Sequence, residues 1–251
     1  MKEHVHIGSN RTGIQMSPLD SKRMMQVAEK TPTTPMTDFS QSEFVKIRQE
    51  YIQESDDIGS VPPPGSLKGM ASTGAELLQG IRPEAFIDKL GERLAFERTG
   101  ARLYESVITK CQAAGVTEIL TDLMRIHQEE LEHFEIVKNA IEQIGADPTA
   151  VTPCADANGV TAMGLLQVAA DPRTTVTQSL QTLLMAELTD NAGWELLIEM
   201  ARKANMDAMA DKFEAALSAE EEHLMTITSI YKQMNFDDME RGEDKSSSRH
   251  I

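Results

Sequence analysis

The sequence predicts an all-α protein built on a four-helix bundle, with two antiparallel hairpins joined by one long crossover. Three observations carry that expectation. Apolar residues recur at helical spacing in four long segments between residues 83 and 234. The first and third junctions between these segments are tight, whereas the second runs from Gly145 to Thr175. Finally, one pattern of acids and histidines appears twice at a constant offset.

The segments follow in order. Segment A carries Ile87, Leu90, Leu94, Ala101, Tyr104, Ile108 and Cys111 on one stripe. Segment B carries Ile119, Leu123, Ile126, Phe134, Val137 and Ile141. Segment C has Leu180, Leu184, Trp194, Leu197 and Ala201, and segment D has Phe213, Ala216, Leu224, Ile227 and Ile230. Each spans about 25 to 30 residues, or roughly 40 Å of helix. Gly115 after A and Asn205 after C are expected to take left-handed turns, with Thr117 and Asp207 as N-caps of the helices that follow. Such turns make A antiparallel to B, and C antiparallel to D. The B–C stretch holds Pro148, Pro153 and Pro172 and has room for a short helix near 160–170. Crossing a 40 Å bundle takes at least about 12 extended residues, so the stretch can return along its full length.

The bundle is expected over 81–235. Residues 1–80 read as a partly disordered extension that drapes over the bundle or docks to a partner, with short helices near 18–30 and 41–54. Phe44, Ile47 and Tyr51 share one side of the second. Proline-rich stretches at 31–35 and 60–65 separate these pieces, and 236–251 reads as a polar tail.

Composition narrows the function classes. A formal charge of −16 argues against a nucleic-acid partner, because phosphate binding needs a basic surface. Aromatics at 4%, with abundant Met, Leu, Ala and Glu, suit long packed helices. Cys111 and Cys154 form no C-x-x-C pair, so neither a disulfide framework nor a thiolate metal knuckle is expected. No apolar run is long enough for a membrane span and no signal peptide is evident, which points to a cytoplasmic protein.

The chemistry lies in the repeat. Glu97 interrupts the apolar stripe of segment A, and segment B carries Glu130 and His133, three apart on one helical face. Segments C and D repeat this with Glu187, then Glu220 and His223. Glu97 to Glu130 and Glu187 to Glu220 are both 33 residues, and every member of the first set is 90 residues before its mate. Gly115 and Asn205, Thr117 and Asp207, Tyr104 and Trp194, and Glu105 and Glu195 share that offset. In an antiparallel hairpin a spacing of 33 sets the two acids level to within about one helical turn. Each hairpin then presents one Glu and one Glu/His pair, and a two-fold axis brings both half-sites to one point.

Four inward carboxylates without a counter-charge would each cost several kcal/mol, whereas two divalent cations neutralise them. Oxygen-rich ligation with one imidazole per ion suits iron or manganese rather than structural zinc. Glu132, Glu221 and Glu222 read as solvated helix faces and His127 as a surface residue. Glu129 is a candidate to orient a histidine, although its repeat-mate Ala219 cannot do the same.

In order and spacing these six residues resemble the ferritin-like superfamily, most closely the bacterioferritins and rubrerythrins, over about 83–234. The resemblance implies a site of two iron ions, with manganese an option in one or both positions. Glu130 and Glu220 would bridge; Glu97 and His133 would complete one position, Glu187 and His223 the other. Tyr104, seven residues after Glu97, is placed to hydrogen-bond a ligand carboxylate or donate an electron, or else fills the core. Asp190 stands near an extra glutamate of the rubrerythrins but is shorter, which puts a ligand role in doubt. Three departures stand out: no C-x-x-C iron domain, no clear fifth helix, and the N-terminal extension.

The activity so implied is a di-metal oxidoreductase: Fe2+ oxidation by O2 or H2O2, ferroxidase-like, in iron handling or oxidative-stress defence. The alternatives are rubrerythrin-like peroxide reduction fed by an external electron donor, and a non-catalytic metal-binding or scaffold protein. A homo-oligomer, at least a dimer, is expected.

Overall fold

A computed structural model describes residues 17–31, 41–63 and 83–240. Most of the proline-rich stretch at 31–35, the end of that at 60–65 and the tail beyond 240 fall outside them. Among the described residues every regular element is a helix: α1 (Pro18–Lys30), α2 (Gln41–Glu54), α3 (Pro83–Ala114), α4 (Leu120–Gln143), α5 (Pro153–Ala170), α6 (Val176–Lys203) and α7 (Asp207–Glu240).

Helices α1 and α2 belong to a unit separate from the bundle. Ser17 starts α1, its hydroxyl accepting from the Asp20 amide at 3.4 Å, with Pro18 next, where a missing N–H costs nothing. Phe44, Ile47 and Tyr51 of α2 are all exposed.

Helices α3, α4, α6 and α7 are the four long segments, paired α3 with α4 and α6 with α7, and touching across the hairpins as α3 with α6 and α4 with α7. The turn residues behave as expected: Gly115 has φ 77° and Asn205 φ 57°. The cap positions do not. Helix α4 begins only at Leu120, after a turn closed by the Leu120 amide on the Thr117 carbonyl, and Ile119 precedes it without a side-chain cap. Asp207 is the first residue of α7 rather than its cap; there it still favours the positive helix end.

The crossover holds far more helix than the expected short turn. Thr152 caps α5 through the Ala155 amide with Pro153 behind it, so the helix starts at the earliest position a proline allows. It lies against α3 and α6, using Ala155, Ala162 and Ala169, spaced by seven, as its buried edge. Both ends are fastened to α3: the Cys154 amide donates to Asp88 Oδ1 at 2.9 Å, and Lys110 Nζ donates to the Asp171 carbonyl at 3.0 Å and Ser179 Oγ at 2.7 Å. Helix α6 then opens with a capping box, Thr175 and Gln178 each satisfying the other's amide. Helix α7 continues to Glu240, so the first residues expected in the tail are helical. No described helix is long and apolar enough to cross a membrane.

The core falls into two apolar clusters. One gathers Leu103, Val107, Leu123, Ile126, Leu180, Leu183 and Ile227; the other gathers Leu90, Leu94, Val137, Trp194, Leu197 and Phe213. Along each long helix the acidic positions fall between them. Each fully buried leucine or phenylalanine contributes about 1.5–3 kcal/mol. Those two clusters therefore offset the cost of the polar layer they enclose.

Candidate metal centre

All six predicted residues meet in that layer, each at most 4% exposed. Ligand atoms of Glu130, Glu187, Glu220 and His223 lie within 4.8 Å of one another, as do those of Glu97, His133 and Glu220. Glu97 and Glu187 arrive from the first helix of each hairpin, and the Glu/His pairs from the second. Gly100 gives room for this: a Cβ there would strike the Glu130 carboxylate.

Glu220 is held by both imidazoles, His133 Nδ1 at 2.5 Å and His223 Nδ1 at 3.0 Å. Burial alone would raise its pKa, yet the two histidines outweigh that and hold it at about 2. The other three carboxyls are driven upward, in each case first by burial. Glu97 is pushed up to about 7, with Arg93 tempering the rise and Glu220 adding to it. Glu130 rises further under the charges of Glu220, Glu97 and Glu187, and Glu187 does so chiefly through Glu220. The hydroxyl of Tyr104 donates to Glu187 Oε1, which fulfils the hydrogen-bonding expectation for that tyrosine; burial and the neighbouring acids keep its phenol protonated.

Two further expectations meet the structure, one kept and one corrected. Glu129 reaches His223 from α4, its Oε2 2.7 Å from Nε2, with Arg125 holding it at 2.7 Å. Those two cations outweigh burial and lower its pKa, while Glu220 and Glu129 together raise that of His223 against its own burial. His127 is half-buried rather than a surface residue, its Nε2 3.5 Å from Glu105. Glu132, Glu221 and Glu222 are exposed, as expected.

Sequence reasoning missed Arg93. It stands one helical turn before Glu97, so the i, i+4 relation placed it on the same face. It is 4% exposed, bonded to buried Asp190 and 3.6 Å from Glu97 Oε1. Its guanidinium occupies a hollow at Gly193, where a Cβ would lie 2.8 Å from Cζ. The expectation of an acid set with no counter-charge is therefore corrected: one cation is present. Asp190 cancels it, so the pair adds no net charge to the layer.

Both oxygens of Glu97, Glu130 Oε2 and Glu187 Oε2 are buried without a hydrogen-bond partner. Buried acceptors in that state cost about 1–3 kcal/mol each, more when charged, unless something absent from the protein satisfies them. Oxygen-rich ligation with one imidazole on each side matches hard or borderline divalent ions. The residues fit.

A helical bundle of two hairpins thus encloses a buried layer of four glutamates and two histidines, compatible with a two-metal site. Residues 87–236 match the Ferritin-like domain family, and the chain belongs to it. No match was found among curated proteins or solved structures.

Proposed function

We propose that this protein binds two Fe2+ in the buried layer and oxidises them with O2 or H2O2. The observation that carries this reading is the set of fully buried carboxylate oxygens without a hydrogen-bond partner. Glu97 and His133 would hold one ion, Glu187 and His223 the other, with Glu130 and Glu220 shared between them. Iron is the substrate and supplies the electrons; with peroxide, two Fe2+ and two protons give two Fe3+ and two waters.

The rest is done by the chain. Glu129 accepts the Nε2 proton of His223 and so leaves Nδ1 as the nitrogen facing Glu130 and Glu187, at 3.8 and 3.9 Å. Tyr104 fixes Glu187 in one orientation. The apolar clusters on either side exclude bulk water, so charges inside the layer act through a low dielectric.

The test is oxidation of Fe2+ by the full chain under O2 or H2O2, followed with a ferrous chelator. Oxidation well above the protein-free rate, lost in Glu130→Gln, supports the proposal. A rate equal to background, with iron bound, would favour a purely metal-binding role.

A further inference from the structure

The two halves of the site come from one repeated hairpin, yet their surroundings differ. On the Glu187/His223 side each ligand is oriented in advance: Tyr104 donates to Glu187, and Glu129 holds His223. The four residues for that position also gather around one point, with ligand atoms within 4.8 Å of one another. On the Glu97/His133 side both Glu97 oxygens lack a hydrogen-bond partner, against one oxygen of Glu187, and so does the indole Nε1 of Trp194, the repeat-mate of Tyr104. The hydrogen bond equivalent to Tyr104–Glu187 is thus unmade there. Nor does one point gather this side's four residues: Glu97 groups with His133 and Glu220, or with Glu130, Asp190 and Glu220.

Charge separates the halves in the same direction. Arg93 holds a fixed cation 3.6 Å from Glu97, with Asp190 spent on binding it. Its repeat-mate is Leu183, and the mate of Asp190 is Gly100, so the other half has no such pair. An ion entering beside Glu97 must displace that carboxylate from Arg93 and settle next to a guanidinium that only Asp190 balances.

We propose that the two positions fill in order, Glu187/His223 first and Glu97/His133 second, and that the Arg93–Asp190 pair contributes to the delay. This rests on the two-ion reading above. It makes the protein a one-ion binder at low metal and a two-ion binder only when metal is plentiful, so pairwise chemistry would switch on with metal supply.

The experiment is an oxygen-free titration of the metal-free full chain with Co2+, by calorimetry and fluorescence together. Trp194 is the sole tryptophan, and its ring centroid lies 5.6 Å from that of His133, so it reports on the later position. Two steps separated by about tenfold or more in dissociation constant are expected, with the fluorescence change following the second. Glu97→Gln should remove the weaker step and Glu187→Gln the tighter. Replacing the pair by neutral amides, Arg93→Gln with Asp190→Asn, should narrow the gap several-fold.

Two equal sites, fluorescence that is complete at the first ion, or loss of the tighter step in Glu97→Gln would overturn the order while leaving two-ion binding intact. An unchanged gap in the amide variant would overturn the part assigned to Arg93. Fewer than two ions in total would defeat the two-ion reading, and this inference with it. If a variant fails to fold, the wild-type fluorescence decides the order alone.

Discussion

The hydroxyl of Tyr104, on α3, donates to Oε1 of Glu187, on α6, and so ties a residue of the first hairpin to a carboxylate of the second. A hydrogen bond to a charged group contributes about 1.5–3 kcal/mol. Tyr104→Phe keeps the ring and removes only the donor. It should lower the thermal midpoint and weaken binding at the Glu187/His223 position by about tenfold to a hundredfold. Metal titration of the folded variant checks this.

Glu129 hydrogen-bonds the predicted ligand His223 from outside the layer. Because such outer partners set the tautomer and orientation of a ligating imidazole, Glu129→Ala should cost about 10–100-fold in metal affinity. Glu222, 63% exposed and 3.5 Å from Arg125, serves as the control. Glu222→Ala should change affinity little, as an exposed ion pair contributes about 0–1 kcal/mol.

Glu130 and Glu220 share one predicted role but differ when metal is absent. Glu130 is buried among like charges, so Glu130→Gln should raise the melting temperature of the metal-free protein. Glu220 pairs with two imidazoles, and Glu220→Gln should lower that temperature. Both variants should lose the two-ion stoichiometry. Melting curves under chelator separate them.

The stability of the metal-free protein should fall as pH rises from about 4.5 through 7. Unfolded, these glutamates ionise near 4.5; folded, Glu97 keeps its proton to about 7, and Glu130 and Glu187 keep theirs longer. The native state thus binds more protons across that window, which makes the slope of stability against pH negative. His223, raised above 6.5, adds the same sign at the upper end. Glu220, held at about 2, is ionised in the native state throughout and opposes the trend only near 4.5, where the unfolded chain still binds its proton. Divalent metal should flatten or reverse the trend, since bound carboxylates must be deprotonated. Melts from pH 5 to 8, with and without Mn2+, read both effects.

Much of this was legible in the sequence because it was written twice. The offset of 90 residues picked out Glu97, Glu130, His133, Glu187, Glu220 and His223 as one set, and helical periodicity located the four long helices. What breaks the repeat was not legible in the same way. Arg93, Asp190 and Glu129 have mates Leu183, Gly100 and Ala219; Glu129 and Asp190 were noticed but drew no support from the repeat, and Arg93 was passed over. Helix α5 was underestimated because it is apolar on nearly every side and buries only an alanine edge, which leaves little amphipathic signal. Thr117 misled as a cap because its turn continues for two more residues before the chain becomes helical.

The turn residues give a stability test of the same repeat. Gly115 sits at φ 77°, where a side chain costs about 1–2 kcal/mol, so Gly115→Ala should destabilise by roughly that much. Asn205→Gly, at φ 57°, should be neutral or stabilising by a few tenths of a kcal/mol. Denaturant midpoints of the two variants decide it.

The most direct measurement is the amount of Fe2+ bound per chain without oxidant, on the full-length protein freed of metal. Saturation at about two ions per chain, falling below that in Glu130→Gln, is the predicted result. Saturation at one ion or none, with the bundle folded, would contradict it.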